Sequence, residues 1–443
     1  MRLLFVQWIP LQPVADFGRY LEVASSVASG GGFRISGIPY VSQPPLYPGV
    51  LGAWFMLTGV NVGAGKILNV LLWAGTLVSW VGLGVRLQLR PAWQVASLAV
   101  LAFHPALVAY SNVLGTESLS LFLAVFGMLV AVVRFPGRWL LLGAVLALTA
   151  LNRPQMLPLP GAVALALLLR DGMRIATWRR ISMVVLGFLL VLGPWTLRNA
   201  VLFGQFVPVS ANSGYVLMVN NNDANAHGGW MPLKDVPLQA DDKARFADAG
   251  FPQGFFSGES EDWKLRHWTP AADVIGSAIG RRWISEHPGR FLELALLRVR
   301  GSFDVGSLLH WPFLERGGAP VWLGRLTLAL NIALTAWTMV ALLRICLHLR
   351  RWQPFIGLPW PHLAWEWCRS CCSRGRDATS CHWSQGRCSS LPPRAGYACP
   401  AGSTLDIPWS SEPFAADTSQ PVPIRRTGSA HMARHRRCRI HWR

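Results

Sequence analysis

VADFGRYLEVASSVASGGGFRISGIPYVSQPPLYPG, residues Val14 to Gly49, is the longest part of the first hundred residues that does not read as membrane-embedded. It opens with Asp16 on an expected helix over Asp16–Val27. It breaks at Gly30-Gly31-Gly32 and closes on Pro44-Pro45-Leu46-Tyr47-Pro48. Asp16 and Tyr20 are four apart and share a helix face. Hydrophobic spans begin just beyond it. The stretch therefore places a carboxylate loop at the mouth of a membrane bundle, which points to a reaction at the membrane surface.

Composition agrees. The chain has 443 residues, 52% hydrophobic and 14% charged, where soluble domains carry about 25% charged residues. The first thirteen residues lack the charged start, apolar core and cleavage site of a signal peptide. The net charge of +19 does not indicate nucleic acid, because most arginines of residues 1–350 sit at the ends of apolar spans. Seven of the eight cysteines follow residue 367, so no disulfide framework serves the membrane part.

A spanning helix needs about 20 mostly apolar residues. Seven spans are expected, over Ile67–Val85, Trp93–Tyr110, Leu119–Val133, Trp139–Leu151, Met156–Leu169, Ile181–Leu197 and Val321–Leu343. Val50–Thr58 is too short to cross. Arginines fall on alternate connections: Arg86 and Arg90; Arg134 and Arg138; Arg170, Arg174, Arg179 and Arg180; Arg344, Arg350 and Arg351. All can be cytoplasmic at once, as the positive-inside rule requires. Asp16, Glu117, Arg153 and Arg198 then share the external side. Charged groups that converge near a membrane tend to mark function.

The expected organisation is a first-span remnant and external catalytic loop (1–66), a membrane bundle (67–199), an external loop region with short helices (200–320), one further span (321–350) and a tail (351–443). The tail is rich in Arg, Cys, Ser, Pro and Trp without apolar periodicity. It cannot bury a core and is expected to be disordered, a reading that fits a frameshift. Only Met1–Pro13 precede the acidic loop, which fits a start called too late. The fold class is an all-α polytopic membrane protein.

Asp-x3-Tyr-Leu-x2-Ala from Asp16, Gly30-Gly31-Gly32-Phe33 and Pro44-Pro45-x-Tyr47-Pro48 resemble, in that order, the first external loop of the GT-C fold glycosyltransferases. The nearest in style are the bacterial branch of the dolichyl-phosphate-mannose protein mannosyltransferases and the lipid A aminoarabinose transferases. The resemblance implies an acidic catalytic base on this loop and a sugar donor on a polyprenyl phosphate. It also covers Gly115-Thr116-Glu117-Ser118, Leu151-Asn152-Arg153-Pro154, Pro194–Asn199 and Gly204–Trp230. Gln43 departs from it: the aminoarabinose transferases carry a phosphate-contacting Lys before the corresponding Pro-Pro.

Each candidate has a plainer alternative. Asp16 serves as base for an acceptor hydroxyl or as a helix cap. Glu117 supports the base or acceptor, or offsets a helix end. Arg153 and Arg198 hold the donor phosphate through bidentate bonds or snorkel at the interface. Arg34 or Lys66 stands in for the missing lysine. Tyr20 and Tyr47 line the substrate site. Asn220 and Asn222, in Asn220-Asn221-Asn222-Asp223, line a sugar or merely build a turn. Gly59–Lys66 fails as a P-loop on spacing and on Ile67. Cys368, Cys371, Cys372, Cys381 and His382 lack regular zinc spacing. No cofactor is expected; a divalent cation is compatible with the chemistry, but no residue pattern supports one.

The expected partners are a polyprenyl-phosphate-linked sugar, membrane lipid and a lipid, glycan or protein acceptor, with no nucleic acid. The expected location is a bacterial inner membrane with the active face periplasmic. The rival readings are a polytopic transporter or flippase without covalent chemistry, or an inactive truncated and frameshifted product.

Overall fold

The computed structural model describes residues 1–9, 11–251, 261–302 and 320–347. The expected coreless tail over 351–443 and Cys368–His382 within it lie outside the described residues. The chain begins with α1 (Arg2–Trp8), α2 (Ala15–Ala28), a two-residue hairpin of β1 (Arg34–Ile35) and β2 (Ile38–Pro39), and α3 (Leu46–Thr58). The long apolar helices follow as α4 (Val62–Arg86), α5 (Pro91–Phe103), α6 (Pro105–Ala109), α7 (Thr116–Val132), α8 (Arg138–Asn152), α9 (Leu159–Asp171) and α10 (Ile175–Phe203). Then come α11 (Ser213–Asn220), α12 (Ala240–Asp248), α13 (Glu261–Arg266), α14 (Pro270–Glu286), α15 (Pro288–Ser302) and α16 (Val321–Leu347). The described chain is all-α apart from the hairpin, and polytopic.

Local chemistry sets these boundaries. α2 ends where Gly30 and Gly32 take positive φ (82° and 72°), which glycine adopts without steric cost. The Asn61 side chain accepts from the amides of Gly63 and Ala64 and so caps α4. Thr269 caps α14 in the same way.

Among the described residues three helices, α4, α10 and α16, are long and apolar enough to cross a membrane alone. The expected second span, Trp93–Tyr110, is not one helix: it bends by 51° between Phe103 and Pro105. Pro105 has no N–H and forbids a continuous ladder. The Arg2 guanidinium donates to the freed carbonyls of Leu101 and Ala102, and to Leu107 and Ser111 beyond the break. Backbone carbonyls at membrane depth need such partners. α7 and α8, with 17 and 15 residues, fall short of the roughly 20 that a perpendicular span requires.

Small residues let the bundle close. A Cβ on Gly143 of α8 would lie 2.0 Å from the Val184 carbonyl of α10, and one on Gly187 would lie 2.0 Å from Leu140 O. Backbones meet directly at this crossing, as is common between membrane helices. Leu142, Leu146, Val184 and Phe188 fill the core around it. The segment after α10 returns along its end: Trp195 donates to Val209 O, Asn199 to Val207 O, and the Ala211 amide to Val41 O.

The helices after Ser213 build their own core from Tyr215, Met218, Phe246, Trp268 and Ile279. Asp273 of α14 caps the start of α11, accepting from the amides of Gly214 and Tyr215 and from Ser213 Oγ. A Gly143→Leu or Gly187→Leu substitution is expected to cost at least about 1–3 kcal/mol by overpacking. A fall in Tm of the detergent-solubilised protein would register it, and an unchanged Tm would contradict the crossing.

Candidate functional site

Asp16 lies in the first turn of α2, where a carboxylate offsets the positive helix end. Its side chain is 51% exposed, whereas that of Arg19, one turn on, is 2% exposed. Arg19 Nη2 donates to Asp16 Oδ1. The pair is inverted from the usual surface arrangement: the guanidinium is buried and the carboxylate faces outward. Burying a cation is costly unless it is paired, so Asp16 is fixed in place by the need to neutralise Arg19.

A second pair sits beside it. Arg153 Nη2 donates to Glu117 Oε1 over 2.6 Å, and these side chains are 6% and 14% exposed. Two helix ends bring them together. Glu117 is in the first turn of α7 and Arg153 follows the last turn of α8. Asn152 Nδ2 donates to Thr116 O over 3.0 Å and also to Ser120 Oγ, pinning one end to the other. Glu117 Oε2 folds over Gly115, where any Cβ would lie 2.2 Å from it and 3.0 Å from the Phe17 ring. That oxygen is buried and without a hydrogen-bond partner among the described residues.

Tyr20 joins the two pairs. Its buried phenol is pushed above the ordinary range, first by burial and then by Asp16 and Glu117, while Arg153 and Arg19 act against them. All four charges thus act on one phenol. Tyr20 packs edge-on against Tyr47, with centroids 5.7 Å apart. Tyr47 donates to Asn69 Oδ1 over 3.1 Å, and Asn69 Nδ2 donates to Val113 O over 2.6 Å. Tyr40 donates to Gln43 Oε1 over 2.9 Å. Burial likewise raises the phenols of Tyr40 and Tyr47, so all three are neutral donors at physiological pH.

The other sequence candidates lie around this group or apart from it. Arg198 Nη1 donates to Tyr40 O over 3.1 Å and its Nη2 to Phe33 O over 3.2 Å, with the guanidinium 4.4 Å above the Trp195 ring. It fastens the hairpin to α10. Arg34 is exposed on that hairpin and donates to Gly37 O. Lys66 is buried near the start of α4, beside Leu11, Pro13 and Asn112. Asn222 spends its amide on Met218 O and Val219 O, and the Asn220 carbonyl accepts from Arg298. Both therefore shape the turn after α11, and no described contact joins them to Tyr20.

Arg19, Tyr40, Asn69 and Asn152 belong to the site although sequence reasoning did not select them. Arg19 had a signal, falling three residues after Asp16 on one helix face. Asn152 stands beside Arg153 in the Leu151–Pro154 motif and Tyr40 three residues before Gln43, but Asn69 had no signal, since chain separation hides its contacts.

A clasp joins the helices beyond the bundle to this region. Arg266 of α13 pairs with Glu22 Oε2 of α2, and Glu22 Oε1 accepts from the amide and hydroxyl of Ser36. Burial pushes the Glu22 carboxyl up, but the bonds from Arg266 and Ser36 outweigh it and hold it below the ordinary carboxylate range.

No family model and no curated protein matches the chain. Two solved structures are similar, both of ArnT from Cupriavidus metallidurans, one in the apo state and one bound to undecaprenyl phosphate. Each is 15% identical, with TM-scores of 0.40 and 0.39, over 88% of this chain and 79% of the other.

Arg153→Met leaves Glu117 buried without its cation and is expected to cost about 3–5 kcal/mol. The double variant Glu117→Gln/Arg153→Met should recover most of that in thermal unfolding. For Glu22, a lowered folded-state pKa means stability that is present above its unfolded value of about 4.3 and lost as pH falls through the folded value. The Tm advantage of wild type over Glu22→Gln should hold at neutral pH and vanish in acid. An advantage that persists in acid would contradict the clasp.

Proposed function

We propose that this chain is an integral membrane glycosyltransferase of GT-C type. It moves a sugar from a polyprenyl phosphate to a hydroxyl of a lipid, glycan or protein acceptor, at the periplasmic face of a bacterial inner membrane. The observation that carries this reading is the convergence of Asp16–Arg19 and Glu117–Arg153 around Tyr20, at the ends of apolar helices. The ordered motifs of Val14–Gly49 support the same reading.

Asp16 is the base. Its Oδ1 is held by Arg19, and the exposed carboxylate takes the proton of the acceptor hydroxyl. The acceptor oxygen bonds to the anomeric carbon as the bond from that carbon to the phosphate oxygen breaks, with inversion. The polyprenyl phosphate leaves with the electron pair. Cations that meet its growing charge lower the barrier. Arg34 is the most open of them; Arg153, Arg198 and Lys66 are buried or engaged and serve by exchanging partners or by field alone. Glu117 keeps Arg153 in place. Tyr20 and Tyr47 form a neutral wall beside the sugar, while Asn220 and Asn222 shape the turn after α11.

One observation favours a second reading, a transporter. The span broken at Pro105 resembles the discontinuous helices that transporters use at their binding sites. A single experiment separates the two. Purified protein in vesicles is given a polyprenyl-phosphate-linked sugar and a hydroxyl acceptor. The glycosyltransferase reading predicts cleavage of the sugar–phosphate bond, reduced about 10²–10⁴-fold in Asp16→Asn. Full activity in Asp16→Asn would remove the base assignment, and movement of intact donor across the vesicle would favour the transporter.

A further inference from the structure

The opposite end of the bundle carries an assembly that the transfer reaction does not use. The connection between α7 and α8 supplies Arg134 and Arg138, and that between α9 and α10 supplies Arg170, Arg174, Arg179 and Arg180. Against these six guanidiniums, the two connections contain one carboxylate, Asp171. Asp171 bonds Arg170 over 3.1 Å and Arg180 over 2.5 Å. Arg138 lies close enough to Arg134, Arg170 and Arg180 to be repelled by each, and it is half-buried above the Trp139 ring at 4.4 Å. The positive-inside rule accounts for arginines on these connections. It does not require two separate connections to converge their charge on one spot, where the cost of mutual repulsion rises.

The rim is apolar and outward. Leu169, Met173, Ile175 and Trp178 are exposed along the α9–α10 connection. Trp at the end of an apolar helix sits at headgroup depth. Arg179 and Arg180 also stand in the first turns of α10, where the helix end is already positive. Excess cation, an interfacial tryptophan and protruding apolar side chains together fit a headgroup that brings negative charge and acyl chains at once. We propose that this patch binds an anionic phospholipid, its phosphate among Arg134, Arg138 and Arg180 and its chains against Leu169 and Ile175.

The full chain in neutral detergent is titrated with phosphatidylglycerol, phosphatidylcholine or inorganic phosphate, and thermal stabilisation is followed. Phosphatidylglycerol should bind at least about tenfold more tightly than phosphatidylcholine, and less tightly as salt rises. Arg134→Gln/Arg138→Gln should weaken it about fivefold per guanidinium, roughly 25-fold in all. Asp171→Asn should strengthen it, so a folding defect in the double variant leaves an independent reading. Arg281→Gln, on α14, should change nothing. Equal response to phosphatidylcholine, or wild-type affinity in both patch variants, would overturn the proposal. So would inorganic phosphate giving the same shift, which would mark a phosphate site and not a lipid surface.

Discussion

The ion pair of Glu117 and Arg153 holds the mouth of this bundle in shape. Each charge is nearly removed from water, and neither is tolerable there without the other. Satisfying them fixes the start of α7 against the end of α8, and the Asn152 bonds to Thr116 and Ser120 stiffen the join. Gly115 follows from the same constraint, because the folded-back carboxylate leaves no room for a side chain. The Phe17 ring rests on that glycine position, so α2, and Asp16 with it, is located by the buried pair beneath.

The second pair works in the opposite sense. Arg19 is buried and needs an anion; Asp16 answers it from the surface and stays open to solvent. A base for an external hydroxyl has to be reachable, yet held within a fraction of an ångström. A buried cation beneath an exposed carboxylate meets both demands. The phenols of Tyr20, Tyr40 and Tyr47 stay neutral, and those of Tyr40 and Tyr47 are committed to Gln43 and Asn69. At the far end of the bundle the charge is left unbalanced, with Asp171 as the one carboxylate among six guanidiniums.

Much of this was legible in the sequence, where the physics is local. Apolar runs gave the helices, Gly30 to Gly32 the end of α2, and Asp16 with Tyr20 a shared face. The bend at Pro105 was visible as a proline, but its tolerance was not, because the Arg2 guanidinium that satisfies the freed carbonyls comes from about a hundred residues away. Arg153 was read as a phosphate ligand, while its bond to Glu117 emerges only when two helix ends meet. Arg198 was read in the same way, and its bonds to Phe33 and Tyr40 carbonyls show it also holds the hairpin. Asn220 and Asn222 illustrate the limit: polar runs carry the same letters whether they bind sugar or close a turn.

The central claim is that two ion pairs surround Tyr20 as one site for a lipid-carried sugar. With only six tyrosines in the chain, 3-fluorotyrosine labelling gives a tractable ¹⁹F spectrum, each signal assigned by a Tyr→Phe variant. On saturation with a polyprenyl-phosphate-linked sugar, the Tyr20 and Tyr47 resonances should shift while that of Tyr215, in the separate core around Trp268, stays in place. Donor binding with an unmoved Tyr20 signal would contradict the account.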